Sequence, residues 1–286
     1  VLDVSVVIPA YNAEEFIGEQ LNTILNSSTS TTFEVIVADN GSSDGTRRIV
    51  TDFADAHPNV SLIDASAVRG PSHARNVGAS AASGRIIAFC DADDQVGERW
   101  IDEISKAVSP GTIVTGPLVI NQINHGPAMG WRPPRVSTQL SVAFSFLPYA
   151  PSSNLGMTRS DFEHVGGFDE NYPRSQDVEF SWRAQLAGLV LEFHPQVQVH
   201  YRHRSTVSGV LTQSIKSGRA AAQLFAAYRE HGLTASSWRS VMQNLWWLGT
   251  RIPFLIDRRR RGVWARRFGE TIGRIDGSVR FRVLYL

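Results

Sequence analysis

Residues 86–90 read Ile-Ile-Ala-Phe-Cys, an unbroken apolar run, and the next four positions carry three carboxylates, Asp91, Asp93 and Asp94. A run without polar alternation is a strand covered on both faces, the condition of a strand in a parallel sheet with helices above and below. Ionised groups are costly to bury unpaired, so acids following such a strand mark an edge of the sheet that opens to solvent or to a ligand. Asp91 and Asp93 are two positions apart, and extended backbone points them the same way. Oxygen donors that converge in this manner suit a hard divalent cation, Mg²⁺ or Mn²⁺. A solvated acidic turn is the plainer alternative, and the rest of the first hundred residues argues against it.

Apolar strand-like runs at Val4–Ile8, Phe33–Ala38, Val60–Ile63 and Arg85–Cys90 alternate with helical segments. The first helix carries Ile17, Leu21, Ile24 and Leu25 on one face. The second is preceded by Ser42, Ser43 and Asp44, all good N-caps, and runs to Ala56; the third spans Pro71–Ala82. Four such alternations with short connections predict an α/β fold with a mostly parallel, three-layer sheet. Further strands are expected over Thr112–Val119, Val190–Phe193 and Val197–His203, and helices over Arg159–Val165, Asp177–Leu186 and much of the chain from Ser208. Residues 120–153, rich in Pro, Ser and Gly, read as an irregular functional loop.

Polar clusters recur where strands end: Pro9-Ala10-Tyr11-Asn12, Asp39-Asn40 and Asp91–Asp94. Ligands of open α/β sheets bind along that carboxyl edge. No GxGxxG motif opens a dinucleotide site, and neither Lys106 nor Lys216 lies in a Walker A loop, which argues against a dehydrogenase and a P-loop kinase. The single cysteine, Cys90, reads as a small core residue in a chain without disulfides, as expected of a reducing compartment.

Six ordered blocks, SVVIPAYN (5–12), ADNGSSDGT (38–46), GPSHARNVGASAASG (70–84), FCDADD (89–94), GGFDE (166–170) and QDVEFSWRAQLAG (176–188), resemble the landmarks of family 2 glycosyltransferases with a GT-A fold. The resemblance covers residues 3–205. It implies a catalytic domain over 1–207, with a nucleotide half near 1–95 and an acceptor half near 96–207, followed by a helical amphipathic extension over 208–286. It also implies transfer of a sugar, with inversion, from a nucleotide-diphosphate donor to a hydroxyl of a saccharide or lipid-linked acceptor. Envelope polysaccharide or glycolipid synthesis in a bacterium is the expected setting.

Residue by residue, the resemblance sets Pro9 and Tyr11 against the nucleotide, the Asp39/Asn40 pair near the base, and Arg75 near the diphosphate. It sets Asp91 toward the ribose and Asp93 on the metal, with Asp94 in support. The family usually has two acids where this chain has Asp39 and Asn40. Asp177 matches the general base; Gln176 stands where the family usually has Glu, and Glu179 is the runner-up base. Relatives place a metal-binding histidine near His200 or His203. Gly166, Gly167 and Gln176 fall near the acceptor, and Trp131, with His125 and Tyr149, lies in the irregular stretch that could meet it. Two other readings stay open: a nucleotide-sugar-binding subunit without catalysis, and a nucleotidyltransferase, against which residues 9–20 supply no Lys or Arg.

Charge is uneven. Residues 236–286 hold eleven arginines against three acids, a net of +8 in a chain whose total is +1. Arg258–Arg261 follow a segment rich in Trp, Leu and Ile, which fits either a helix lying on an anionic membrane surface through residues 240–286 or a helix packed on the catalytic domain. No nucleic-acid recognition motif is present. No leader pattern and no run of 18 apolar residues is visible, so the expected location is cytoplasmic, peripheral at the inner face of the cell membrane.

Overall fold

Side chains of β1 (Val4–Ala10) alternate between two separate cores, and this alternation builds the layers. Val4, Val6 and Ile8 pack with Val35 and Val37 of β2 (Phe33–Asp39), beneath Ile17, Leu21 and Ile24 of α1 (Ile17–Leu25). Val7 and Ile36 face the other way, with Ala79 of α3 (Pro71–Ala81). Each fully buried side chain of this size contributes about 1.5–3 kcal/mol. The structure, a computed structural model, describes residues 2–120, 122–124, 131, 138–203, 206–258 and 260–286.

The described residues form two compact units, one of Val1–Val119, Val136–Ser141 and Pro148–Tyr201, the other of Ile120–Arg135, Val142–Leu147 and Arg202–Leu286. In the first, β1 is flanked by β2 and by β4 (Ile86–Phe89), and β2 by β3 (Val60–Asp64), all parallel. Helices α2 (Thr46–Ala56), α3 and α4 (Trp100–Ala107) complete the connections. The parallel α/β expectation therefore holds. One strand escaped it: β10 (Leu155–Thr158) lies antiparallel between β4 and β6 (Thr112–Thr115) in a sheet that starts from β11 (Val190–Phe193) and runs β11-β6-β10-β4-β1-β2-β3. Two-residue strands β8 (Ser141–Val142) and β9 (Pro148–Tyr149) precede it in the chain.

Three boundaries differ from the sequence reading. β1 runs through Pro9 because pairing with β4 stops at Val7↔Phe89, so the proline's missing N–H faces a side with no ladder left to satisfy. The expected strand Thr112–Val119 is two, β6 and β7 (Leu118–Val119), in different sheets. They break at Gly116, where a Cβ would lie 2.1 Å from the Val197 carbonyl oxygen. β12 is only Val199–His200 and pairs with β7 and β5 (Gln95–Val96), so His203 lies outside it. β11 (Val190–Phe193), α5 (Arg159–Val165) and α6 (Gln176–Leu186) fall where expected.

The second unit centres on α7 (Val207–Tyr228) and α9 (Arg261–Arg280). Gly269, Gly273 and Gly277 recur every fourth residue and so share one face. A Cβ on Gly273 would stand 2.1 Å from the Ile215 oxygen, and one on Gly218 would stand 2.2 Å from the Glu270 oxygen. The two backbones touch directly, and an Arg219–Asp276 ion pair flanks the contact. Helix α8 (Trp238–Thr250) leans on α9 through Asn244 Nδ2, which donates to Thr271 Oγ1 at 2.8 Å.

Candidate active site

The carboxyl ends of β1, β2 and β4 lie side by side, Ala10 opposite Asp39 and Val7 opposite Phe89. Just past β4, ligand oxygens of Asp91, Asp93 and Asp94 all lie within 4.8 Å of one another. Gln20, fully buried on the inner face of α1, fixes this turn: its Nε2 donates to the Asp91 carbonyl at 3.0 Å and its Oε1 accepts from Val96 N at 3.1 Å. The signal for Gln20 was present in the sequence, a polar residue on the apolar face of Ile17, Leu21 and Ile24. Three like charges this close repel unless compensated. Burial and the charges of Asp91 and Asp94 push the Cys90 thiol well up, so that Cys90 is an inert core residue.

Compensation comes from Arg75 on α3. It is 2% exposed, and its Nη2 donates to Asp91 Oδ1 at 2.5 Å while the guanidinium lies 5.6 Å from the Phe168 ring centroid. Its Nε and Nη1 are buried and have no hydrogen-bond partner among the described residues. A buried cation with unspent donors beside an acid cluster is arranged for an anionic ligand. The oxygen-only donor set of the three acids fits a hard divalent cation, with Asp91 already shared by Arg75.

Asp177, in the first turn of α6, is the third element of this group. Burial raises its pKa above the usual carboxylate range, the charge of Asp91 adds to the rise, and Arg174, Arg75 and a hydrogen bond from Val178 N oppose it. Glu179 is committed elsewhere. It is 3% exposed, and Arg183 clasps both its oxygens, Nε to Oε1 at 2.7 Å and Nη2 to Oε2 at 3.0 Å. The same Arg183 donates to the carbonyls of Val165 and Gly167, tying α6 to the preceding turn.

That turn accounts for its glycines. Gly166 and Gly167 have φ of 84° and 68°, a left-handed pair that ends α5. A Cβ on Gly167 would lie 2.8 Å from Asn76 Oδ1, the atom that accepts Phe168 N. Gln176 is buried and its Oε1 has no partner among the described residues. Trp131 belongs to the helical unit, where its indole N–H donates to the Arg258 carbonyl and its ring lies against Gly262. His125 lies outside the described residues, and Tyr149 is half-buried in β9.

At the β1–β2 edge, Tyr11 is exposed, with Arg69 donating to its hydroxyl at 3.0 Å and lying 5.3 Å from its ring centroid. Pro9 is partly exposed. Asp39 is fully buried and paired to Arg47 Nη1 at 2.8 Å. Asn40 spends its side chain on the protein: Nδ2 donates to the carbonyls of Ala65 (2.5 Å) and Val68 (2.8 Å), and Oδ1 accepts from Gly70 N (2.8 Å). A carboxylate here would face two carbonyls with no proton to give. Asn40→Asp is therefore expected to cost about 2–4 kcal/mol, read as a fall in Tm at neutral pH. Raised by its acceptor neighbours, the new carboxyl would regain its proton as pH falls, restoring Tm in acid. An unchanged Tm would show that these bonds do not hold the 65–70 loop.

His200 sits opposite Gln95, the residue after Asp94, in the β12–β5 ladder. Its Nδ1 is buried with no hydrogen-bond partner among the described residues, and burial lowers its pKa, which favours the neutral, ligating form. His203 lies in the other unit, where its backbone N–H donates to Asn124. Neither histidine belongs to the acid cluster, whose described members are the three aspartates.

Residues 5–166, more than half the chain, match the model of the family described as Glycosyl transferase family 2. Among curated proteins, the chain is 32% identical over 202 residues to glycosyltransferase AglE of Haloferax volcanii, covering 69% of this chain and 66% of AglE. It is 27% identical over 230 residues to the pre-mycofactocin glycosyltransferase of Mycobacterium tuberculosis, covering 78% of this chain and 47% of that protein. The chain thus spans from about half to just under two thirds of these relatives. Among solved structures, the mannosyltransferase PcManGT of Pyrobaculum calidifontis, in complex with GDP-Man and Mn²⁺, superposes with a TM-score of 0.64 at 18% identity, covering 96% of this chain and 86% of that one. Residues 1–349 of TarS from S. aureus, in complex with UDP, give a TM-score of 0.52 at 19% identity, covering 100% and 93%. With its family landmarks in order and its acids at the carboxyl edge of a sheet shared with these structures, the chain belongs to the family 2 glycosyltransferases and has the GT-A fold.

Proposed function

We propose that this chain transfers a sugar, with inversion, from a nucleoside-diphosphate donor to a hydroxyl of a saccharide or lipid-linked acceptor, in envelope polysaccharide or glycolipid synthesis at the inner face of the cell membrane. The observation that carries this reading is Arg75, buried beside the acid cluster with Nε and Nη1 unspent. Those donors suit a diphosphate, whose oxygens accept what Asp91 cannot.

In this reading Tyr11 and Pro9 receive the base, with the Arg69-braced Tyr11 ring as the exposed platform. Asn40 acts indirectly, by holding the 65–70 loop beside that platform. Asp39 contributes through its carboxylate, fixed by Arg47. Asp93 and Asp91 would hold a divalent cation, with His200 the better placed of the two histidines. Such an ion supplies Lewis-acid neutralisation of charge growing on the departing diphosphate. Asp177 takes the acceptor proton as the acceptor oxygen bonds to the anomeric carbon and the bond to the diphosphate breaks. A raised pKa makes it a stronger base than an ordinary aspartate. That PcManGT was solved with GDP-Man and Mn²⁺, and TarS with UDP and with UDP-GlcNAc, supports a nucleotide-sugar donor without choosing the base.

The test is a thermal-shift series with UDP, GDP, dTDP and CMP, each with and without Mn²⁺. A ligand at about 100 times its Kd stabilises by about 2.7 kcal/mol, so one diphosphate is expected to raise Tm by several degrees when the cation is present. Failure of every diphosphate at millimolar concentration, with and without the cation, would defeat the donor-binding reading.

A further inference from the structure

Among the described residues, the exposed large apolar side chains are concentrated in one stretch of the chain. Of the large apolar side chains left exposed among the described residues, twelve lie between Trp238 and Leu284 and five elsewhere. On α8 they are Trp238, Met242, Leu245 and Trp246, spaced as one helix face. Past the helix end, Ile252 and Ile256 are 56% and 87% exposed. On α9, Ile272, Ile275 and Val279 repeat the pattern, and Leu245 and Ile275 line the same cleft between the two helices. Soluble surfaces rarely keep so many large apolar groups together without a partner.

The charge beside this face says what the partner is. Arg251 lies 5.8 Å from the ring of Trp246, Arg260 lies 5.1 Å from Phe254, and Arg267 lies 4.2 Å from Trp247. Residues 236–286 carry a net of +8. Aromatic rings beside arginines within this apolar segment match the chemistry of a bilayer boundary, where rings take the headgroup level and cations meet lipid phosphate. No helix among the described residues is long and apolar enough to cross a membrane, so the face suits lying on a bilayer. Pairing with a second copy would bring two such basic segments together, which like-charge repulsion opposes.

We propose that the α8–α9 face docks this chain on an anionic lipid surface, with the Trp238–Trp246 row and Ile256 entering the interface and the arginines contacting lipid phosphates. The proposal deepens, and rests on, the reading of a membrane-side acceptor, but its test does not depend on glycosyl transfer. The whole chain is sedimented with vesicles of phosphatidylcholine, with and without phosphatidylglycerol, across a salt series. Two variants are compared: the double substitution Trp246→Asp with Ile256→Asp, at side chains 65% and 87% exposed, and Arg251→Gln with Arg260→Gln.

Binding is expected only with the anionic lipid, at least tenfold weaker in either variant and falling with salt, while circular dichroism and the nucleotide-induced thermal shift match wild type. Failure of the wild type to sediment with anionic vesicles would overturn the proposal. So would variants that bind as tightly as wild type, or a wild-type dimer that the aspartate variant turns into a monomer, since the face would then pair copies. Loss of the nucleotide shift in the wild type would count against the donor-binding reading and leave the vesicle result standing.

Discussion

Asp177→Asn is expected to lower turnover by about 10²–10⁴-fold while donor affinity and fold are retained. The amide keeps the size of the side chain and still accepts from Val178 N, but it cannot take the acceptor proton. Burial raises the pKa of Asp177, and nearby Asp91 adds to that rise, so the native protein binds this proton more tightly than the unfolded chain does. The ionised form therefore costs stability above the raised pKa, and that cost is relieved as pH falls through it. Asp177→Asn should consequently melt no lower than wild type at neutral pH, with the difference closing in acid. Turnover of the wild type should show an acidic limb above the usual aspartate range of about 3.9, absent from the residual activity of the variant. Turnover within a few fold of wild type would mean that another group is the base, and Glu179 is a poor substitute with both oxygens held by Arg183.

Asp93→Ala should remove the dependence of nucleotide binding on divalent cation. A unit charge pair at about 4 Å is worth about 4 kcal/mol at an effective dielectric near 20, roughly a thousandfold in affinity. Titration of Mn²⁺ against a fixed nucleotide concentration reads this effect. Mn²⁺-stimulated affinity equal to wild type would remove Asp93 from the ligand set.

The α/β core was legible because its strands are continuous apolar runs that only a doubly covered sheet can use. β10 was not: Leu-Gly-Met-Thr is short, contains a glycine and sits antiparallel, so neither periodicity nor β-branching marks it. The split of Thr112–Val119 follows from a backbone approach at Gly116 to a carbonyl more than seventy residues away, which local pattern cannot register. In the candidate site, the placement of the acids was legible from carboxylates ending a buried strand. The commitments of Glu179, Asn40 and Arg75 were not, because each depends on partners brought together by folding. Trp131 illustrates the same limit, since an aromatic in an irregular stretch reads alike whether it meets a sugar or packs under a helix.

Asn40 is followed by Gly41, and Asn-Gly is the dipeptide most prone to spontaneous loss of its side-chain amide, because glycine leaves the attack of the next backbone nitrogen unhindered. Here the amide is buried and three hydrogen bonds hold it away from that path. Loss of the amide at Asn40 is thus expected to follow opening of the 65–70 loop, each opening exposing Asn40 to conversion into a carboxylate that cannot remake its two bonds to carbonyls. Ligands that close the loop would lengthen shelf life at this position, and the rate at which one dalton is gained at Asn40 is a clock for a motion that leaves no other covalent trace.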